Sequence, residues 1–204
     1  MKKLFLAIII TLFVVPAYGK TTKQLHNDGL SALQKGGHII LLRHAYAPRT
    51  EANGNHDKNY KHMICSTQRD ILSEGIKQSK NIGQWVVSNN VSIEKVIASP
   101  TCRTYKTAKY AGWEYTIDKN AKNVPDFKET RKRIDVLRDI ILSWNGEGNL
   151  VIVTHFKMIN PLFPGVKAGS GEMVITDGTT IGDENQYFKT IGRIKFDYDI
   201  TNKE

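Results

Sequence analysis

Short, unbroken apolar runs alternate along this chain with longer stretches whose apolar residues recur every three or four positions. His38-Ile39-Ile40-Leu41-Leu42 follows Gly36-Gly37, Val96-Ile97-Ala98 follows a polar turn, and Leu150-Val151-Ile152-Val153 follows Gly146-Glu147-Gly148-Asn149. Runs of that length bounded by turn residues predict strands covered on both faces, as a parallel sheet requires. Helical spacing lies between them. One helix is predicted over 73–88, with Ser73 as its cap and Ile76, Ile82, Trp85 and Val86 facing inward. A second is predicted over 128–144 through Ile134, Leu137, Ile141 and Leu142, and a third starts near Arg103 and carries Tyr105 and Ala108 inward. This alternation argues for a three-layer α/β/α sandwich around a mainly parallel sheet. Residues 172–176 and 193–198 are predicted as late strands closing one edge. Residues 45–72 form a long insertion without clear periodicity, and such loops beside strand ends often hold substrate.

The first segment follows a different pattern. Lys2 and Lys3 precede an apolar run from Leu4 to Val15, and Ala17-Tyr18-Gly19 offers the small-x-small pattern of a signal-peptidase site. The run is shorter than the ~20 residues a spanning helix needs. A cleaved leader over 1–19 is therefore expected, followed by one domain over 20–204 and a periplasmic or secreted location. The composition, 40% hydrophobic and 24% charged, excludes wholesale disorder and a polytopic membrane protein. Two cysteines are too few for a disulfide-built scaffold or a four-cysteine zinc site. The formal charge of +9 loses only the two leader lysines on cleavage, so the mature domain stays basic. Export and the lack of a basic run with interleaved aromatics exclude nucleic acid as the partner, which leaves an anionic small molecule or glycan.

In an open α/β sheet, ligands bind beyond the carboxyl ends of the strands. The first run leads into Arg43-His44, the second into Ser99-Pro100-Thr101-Cys102-Arg103-Thr104 and the third into Thr154-His155. Two arginines and two histidines are thus expected on one rim, with Arg103 near a helix N-terminus that also favours an anion. Arginines grip phosphate oxygens in a planar fork, and a neutral imidazole can attack phosphorus. The grouping of these four residues points to phosphoryl chemistry.

Leu42-Arg43-His44-Ala45, Ser99-Pro100-x-x-Arg103-Thr104-x-x-Thr107-Ala108 and Val153-Thr154-His155 resemble the three signatures of the histidine phosphatase superfamily, with its phosphoglycerate mutase-like fold. The resemblance runs in order from Gly36 to Ile175. Residues 69–75 are similar to the family's segment leading into its first helix. The resemblance implies His44 as the nucleophile that becomes phosphohistidine, Arg43 and Arg103 as phosphate clamps, and His155 as the second histidine. Arg69 and Thr154 are implied as further substrate contacts. No cofactor or metal is implied. A proton donor for the leaving oxygen is implied after the arginine block, where Glu129 matches best, with Asp126 and Glu172 as alternatives. Acid phosphatases and phytases of the other branch carry an Asp directly after the second histidine. Phe156 stands there instead, so the chain resembles the mutase branch.

The insertion adds Arg49, His56, Lys58, Lys61 and His62, read either as a cationic lid or as a solvated loop. No carboxylate or cysteine cluster with ligand spacing accompanies His56 and His62, which argues against a metal site. Cys65 in the insertion and Cys102 beside Arg103 are expected to pair in an oxidising compartment, pinning the insertion to the site. The expected function is an exported, metal-independent phosphomonoesterase, similar in layout to lipopolysaccharide core heptose-phosphate phosphatases. The competing expectation is a weakly catalytic or non-catalytic phosphate-binding envelope protein of the same fold.

Overall fold

The computed structural model describes residues 20–49, 60–61, 63–182 and 187–198. The expected leader and His56, Lys58 and His62 lie outside them. The chain runs through α1 (Thr22–Lys35), β1 (Ile39–Arg43), a 3-10 turn (Cys65–Thr67), α2 (Ser73–Ser88), β2 (Ile93–Ala98) and α3 (Cys102–Tyr110). Then come β3 (Thr116–Ile117), a second 3-10 turn (Lys119–Ala121), α4 (Phe127–Leu142), β4 (Asn149–Thr154), α5 (Phe156–Ile159), β5 (Met173–Thr176), β6 (Thr180–Ile181), β7 (Tyr187–Phe188) and β8 (Gly192–Ile194).

The three apolar runs become neighbours in one sheet of order β3-β2-β4-β1-β5-β8. The first four strands in that order are mutually parallel, whereas β5 runs antiparallel to β1 and to β8. Successive side chains of a strand point to opposite faces, so each apolar run feeds two cores. Ile39, Leu41, Leu150 and Ile152 pack with Ile134, Leu137 and Ile141 of α4 and with Met158 of α5. Ile40, Leu42, Val151 and Val153 pack on the other face with Leu33 of α1, Ile82 and Val86 of α2 and Ala108 of α3. The result is the expected α/β/α sandwich. No helix of the described residues is long and apolar enough to cross a membrane.

Three details depart from the sequence pattern. Helix α1 buries only Gly29, Ala32 and Leu33, too narrow a stripe to stand out, and its start is marked instead by a capping box between Thr21 and Gln24. Ser73 does not cap α2, because Leu72 is the N-cap residue and the Ser73 hydroxyl bonds the Glu74 carboxylate at 3.0 Å. The last strand ends at Ile194 rather than Tyr198. Beyond it, the Phe196 carbonyl accepts from Gln78 and Tyr198 stacks on Tyr46, which draws the tail off the sheet and over α2.

Candidate active site

Sheet order explains why three separate sequence motifs meet. Strand β4 lies between β2 and β1, and its terminal Thr154 is opposite Arg43, the last residue of β1. The ladder continues one step past each strand: His44 N–H donates to the Thr154 carbonyl at 3.0 Å, and Ser99 N–H to the Val153 carbonyl at 3.0 Å. Arg43-His44, the loop before α3 and His155 therefore leave the sheet side by side. Arg103 sits in the first turn of α3, and His155 is the N-cap residue of α5.

The His44 ring is almost wholly buried, at 3% exposure. Its Nδ1 lies 2.8 Å from the Ala45 carbonyl, which can only accept. Nδ1 therefore carries the proton, and the lone pair is on Nε2. The Ala45 N–H in turn donates to the Thr107 hydroxyl oxygen at 2.9 Å, and that hydroxyl donates to the Arg103 carbonyl at 2.6 Å, tying the histidine loop to α3. His155 packs edge-on against His44, ring centres 5.5 Å apart, with its Nε2 2.9 Å from Ser99 Oγ. Burial first, and then the adjacent Arg103 guanidinium, hold both imidazoles well below their usual value, so both are neutral at pH 7.

Arg43 donates from Nη1 to the Ala168 carbonyl at 2.8 Å, and its buried Nε–H has no protein acceptor among the described residues. The loop carrying Ala168 is itself anchored. Gly171 N–H, at positive φ, donates to the carbonyls of both Arg43 and His44 at 3.1 Å, and Gly169 N–H donates to Glu172 Oε2 at 2.7 Å. The other Glu172 oxygen accepts from Arg193 Nε at 2.7 Å. Arg103 donates from Nη1 to the Arg69 carbonyl at 3.2 Å.

These groups open into a cavity of about 660 Å³ lined by Arg43, His44, Arg69, Arg103 and His155. The size suits a small molecule rather than a bare phosphoryl group. Arg49 of the insertion also lines it. The sequence reading passed over Asn123, Lys157 and Lys167, which complete the wall. Only Lys157 carried a sequence signal, its place two residues after His155; Asn123 and Lys167 arrive through loops whose course depends on packing.

Other expected site residues stand apart. The Thr154 hydroxyl donates to the Ala121 carbonyl and does not line the cavity. Glu129 is 46% exposed at the start of α4 and accepts from Arg133 Nε at 3.2 Å. Asp126 caps the same helix by accepting from the Glu129 N–H at 2.7 Å. Glu172 is buried with both oxygens engaged. None of the three carboxylates lines the cavity.

Cys65 and Cys102 form a disulfide, Cα atoms 5.6 Å apart. It ties the insertion to the residue preceding Arg103. Asp70 lies close to both sulfurs, but the bridge removes their thiolates as metal ligands, and Asp70 pairs with Lys106.

No protein-family model and no curated protein matches the sequence. Solved structures do. The protein histidine phosphatase SixA, in its complex with tungstate, aligns at a TM-score of 0.53 and 15% identity, covering 77% of this chain and 96% of SixA. The product of the open reading frame Rv3214 from Mycobacterium tuberculosis aligns at 0.53 and 15%, covering 75% of this chain and 94% of its own. At such identities the likeness is one of fold, the phosphoglycerate mutase-like α/β fold.

Proposed function

We propose that this chain is a phosphomonoesterase that passes the phosphoryl group through His44. The observation that carries the reading is the 2.8 Å contact of His44 Nδ1 with the Ala45 carbonyl, which leaves the imidazole lone pair on Nε2 beside a cavity the ring shares with Arg43, Arg103 and His155. A binding protein needs the arginines but has no use for an oriented nucleophilic nitrogen. The complex of SixA with tungstate, a tetrahedral oxyanion like phosphate, supports oxyanion binding in a cavity of this fold.

In the first step Nε2 attacks phosphorus, the ester P–O bond breaks and the leaving oxygen takes up a proton from solvent. The ring becomes a cation, and its Nδ1–H stays bonded to the Ala45 carbonyl. Water then attacks phosphorus, the P–N bond breaks, and inorganic phosphate leaves with His44 restored. Charge on the equatorial oxygens is met by Arg43 and Arg103, with Arg69 nearby, so the arginines supply the electrostatic stabilisation that phosphoryl transfer requires. In this reading no divalent metal takes part. Glu129, the donor expected from sequence, is bonded to Arg133 and does not line the cavity, so in this reading solvent supplies the proton.

The apolar leader and the disulfide support an exported enzyme acting on a sugar phosphate or other envelope phosphomonoester. The test is hydrolysis of p-nitrophenyl phosphate with a chelator present, and capture of an acid-labile phosphoenzyme. His44→Ala is expected to abolish the phosphoenzyme and lower kcat by at least about a thousandfold. Undiminished turnover in that variant, or a requirement for divalent metal, overturns the reading.

A further inference from the structure

The cations around the cavity fall into two groups. Arg43, Arg69 and Arg103 surround the histidines, and two of them are held by backbone carbonyls. Arg49, Lys157 and Lys167 are exposed at the same cavity. Several cations elsewhere in the domain are matched: Lys106 with Asp70, Arg133 with Glu129, Arg193 with Glu172, and Lys122 over the Tyr60 ring at 3.1 Å. At the cavity mouth no carboxylate of a described residue stands among the three.

Two of the three are anchored through their backbones. Lys157 is in the first turn of α5, two residues after the N-cap His155. The Lys167 carbonyl accepts from Arg193 Nη2 at 3.4 Å, and the same arginine is paired with the buried Glu172. Like charges gathered at one rim repel one another, and a low-dielectric wall focuses their field into the cavity. One phosphoryl dianion at His44 already has Arg43 and Arg103. A further three cations at the mouth answer to a further negative group.

We infer that the cavity takes a substrate with two anionic groups, the phosphoryl group at His44 and a second phosphate or carboxylate at the mouth held by Arg49, Lys157 and Lys167. The inference rests on the phosphatase reading for the first group alone. The second group is a matter of binding and can be measured without turnover.

The experiment uses the full chain carrying His44→Ala, titrated calorimetrically with glucose 6-phosphate, 6-phosphogluconate and glucose 1,6-bisphosphate at low salt. The two ligands with a second anionic group are expected to bind about tenfold tighter than glucose 6-phosphate, the yield of two or three partly exposed ion contacts. That preference should fall to about one when Lys157→Gln and Lys167→Gln are added, and should shrink as salt is raised to about 0.5 M. Equal affinity for all three sugars overturns the inference, as does a preference that survives both substitutions. Thermal unfolding of the triple variant, together with the salt series on the single variant, keeps the result independent of a folding defect. A strong preference without any phosphoenzyme in the unmodified chain would sink the phosphatase reading and leave the second subsite standing; turnover without preference would do the reverse.

Discussion

The floor of the cavity and its mouth are built by opposite means. On the floor, His44, Arg103 and His155 are 3%, 8% and 4% exposed. His44 is fixed through its own N–H, its Nδ1–H and the N–H of the next residue, each to a different partner. At the mouth, Arg49, Lys157 and Lys167 are exposed. In the proposed reaction, attack on phosphorus tolerates little displacement, and the sheet and α3 hold His44 accordingly. Attraction of a second charge needs only the right sign at the right distance, which long, exposed cationic side chains supply.

Arg103→Lys strikes the floor hardest after His44 itself. A lysine keeps the charge but loses the planar fork, so kcat/KM on p-nitrophenyl phosphate is expected to fall about a hundredfold. A loss of only a few fold would mean that the floor, like the mouth, works through charge alone.

Opening the disulfide tests whether the two regions are mechanically joined. Cys102 is fully buried beside Arg103, and its bond to Cys65 closes a separation of 37 residues. Cys65→Ser is expected to lower the unfolding free energy by about 3–4 kcal/mol, measured by urea denaturation. Unchanged stability would show that the insertion contributes nothing to the floor.

The buried imidazoles give the floor a pH signature that exposed cations lack. His44 and His155 are both held below their usual value, chiefly by burial. Below about pH 6.5 the unfolded chain takes up protons that the folded chain refuses. Stability from this source is complete above that pH and declines as pH falls toward the depressed folded values. The urea midpoint should therefore drop between pH 7.5 and 5.5, and His44→Gln should remove part of the drop. A midpoint flat over that range would contradict neutral, buried histidines.

Glu129→Gln is expected to change least. The side chain is exposed and paired to Arg133 outside the cavity, so kcat should stay within about threefold of the unmodified value. A loss of about a hundredfold would restore it as the proton donor and move the boundary of the floor outward.

Much of the floor was legible before any coordinates. Arg43 ends a strand and His44, Arg103 and His155 come after strands, and strand ends are where an open α/β sheet holds its ligand. The core was legible for the same reason: Ile39 to Leu42 and Leu150 to Val153 are apolar at every position, which only a strand covered on both faces demands. Helix α1 was not legible, because its contact with β8 is made through glycines. A side chain on Gly192 would come within 2.3 Å of the Gly29 Cα. Glycines that permit close approach carry no apolar signal. Sequence position favoured Glu129 over Glu172 as the acid without showing where either side chain goes; three-dimensional placement separates them, one pairing with Arg133 on α4 and the other buried and fixing the loop beneath Arg43.

Local pattern determined what each segment would become, because burial on two faces, caps and turn residues act over a few neighbouring positions. Tertiary structure alone decided which segments would meet. The placement of β4 between β2 and β1, the reversal of β5 and the delivery of Lys157 and Lys167 to one mouth depend on packing between residues far apart in the chain, where no short-range pattern reaches.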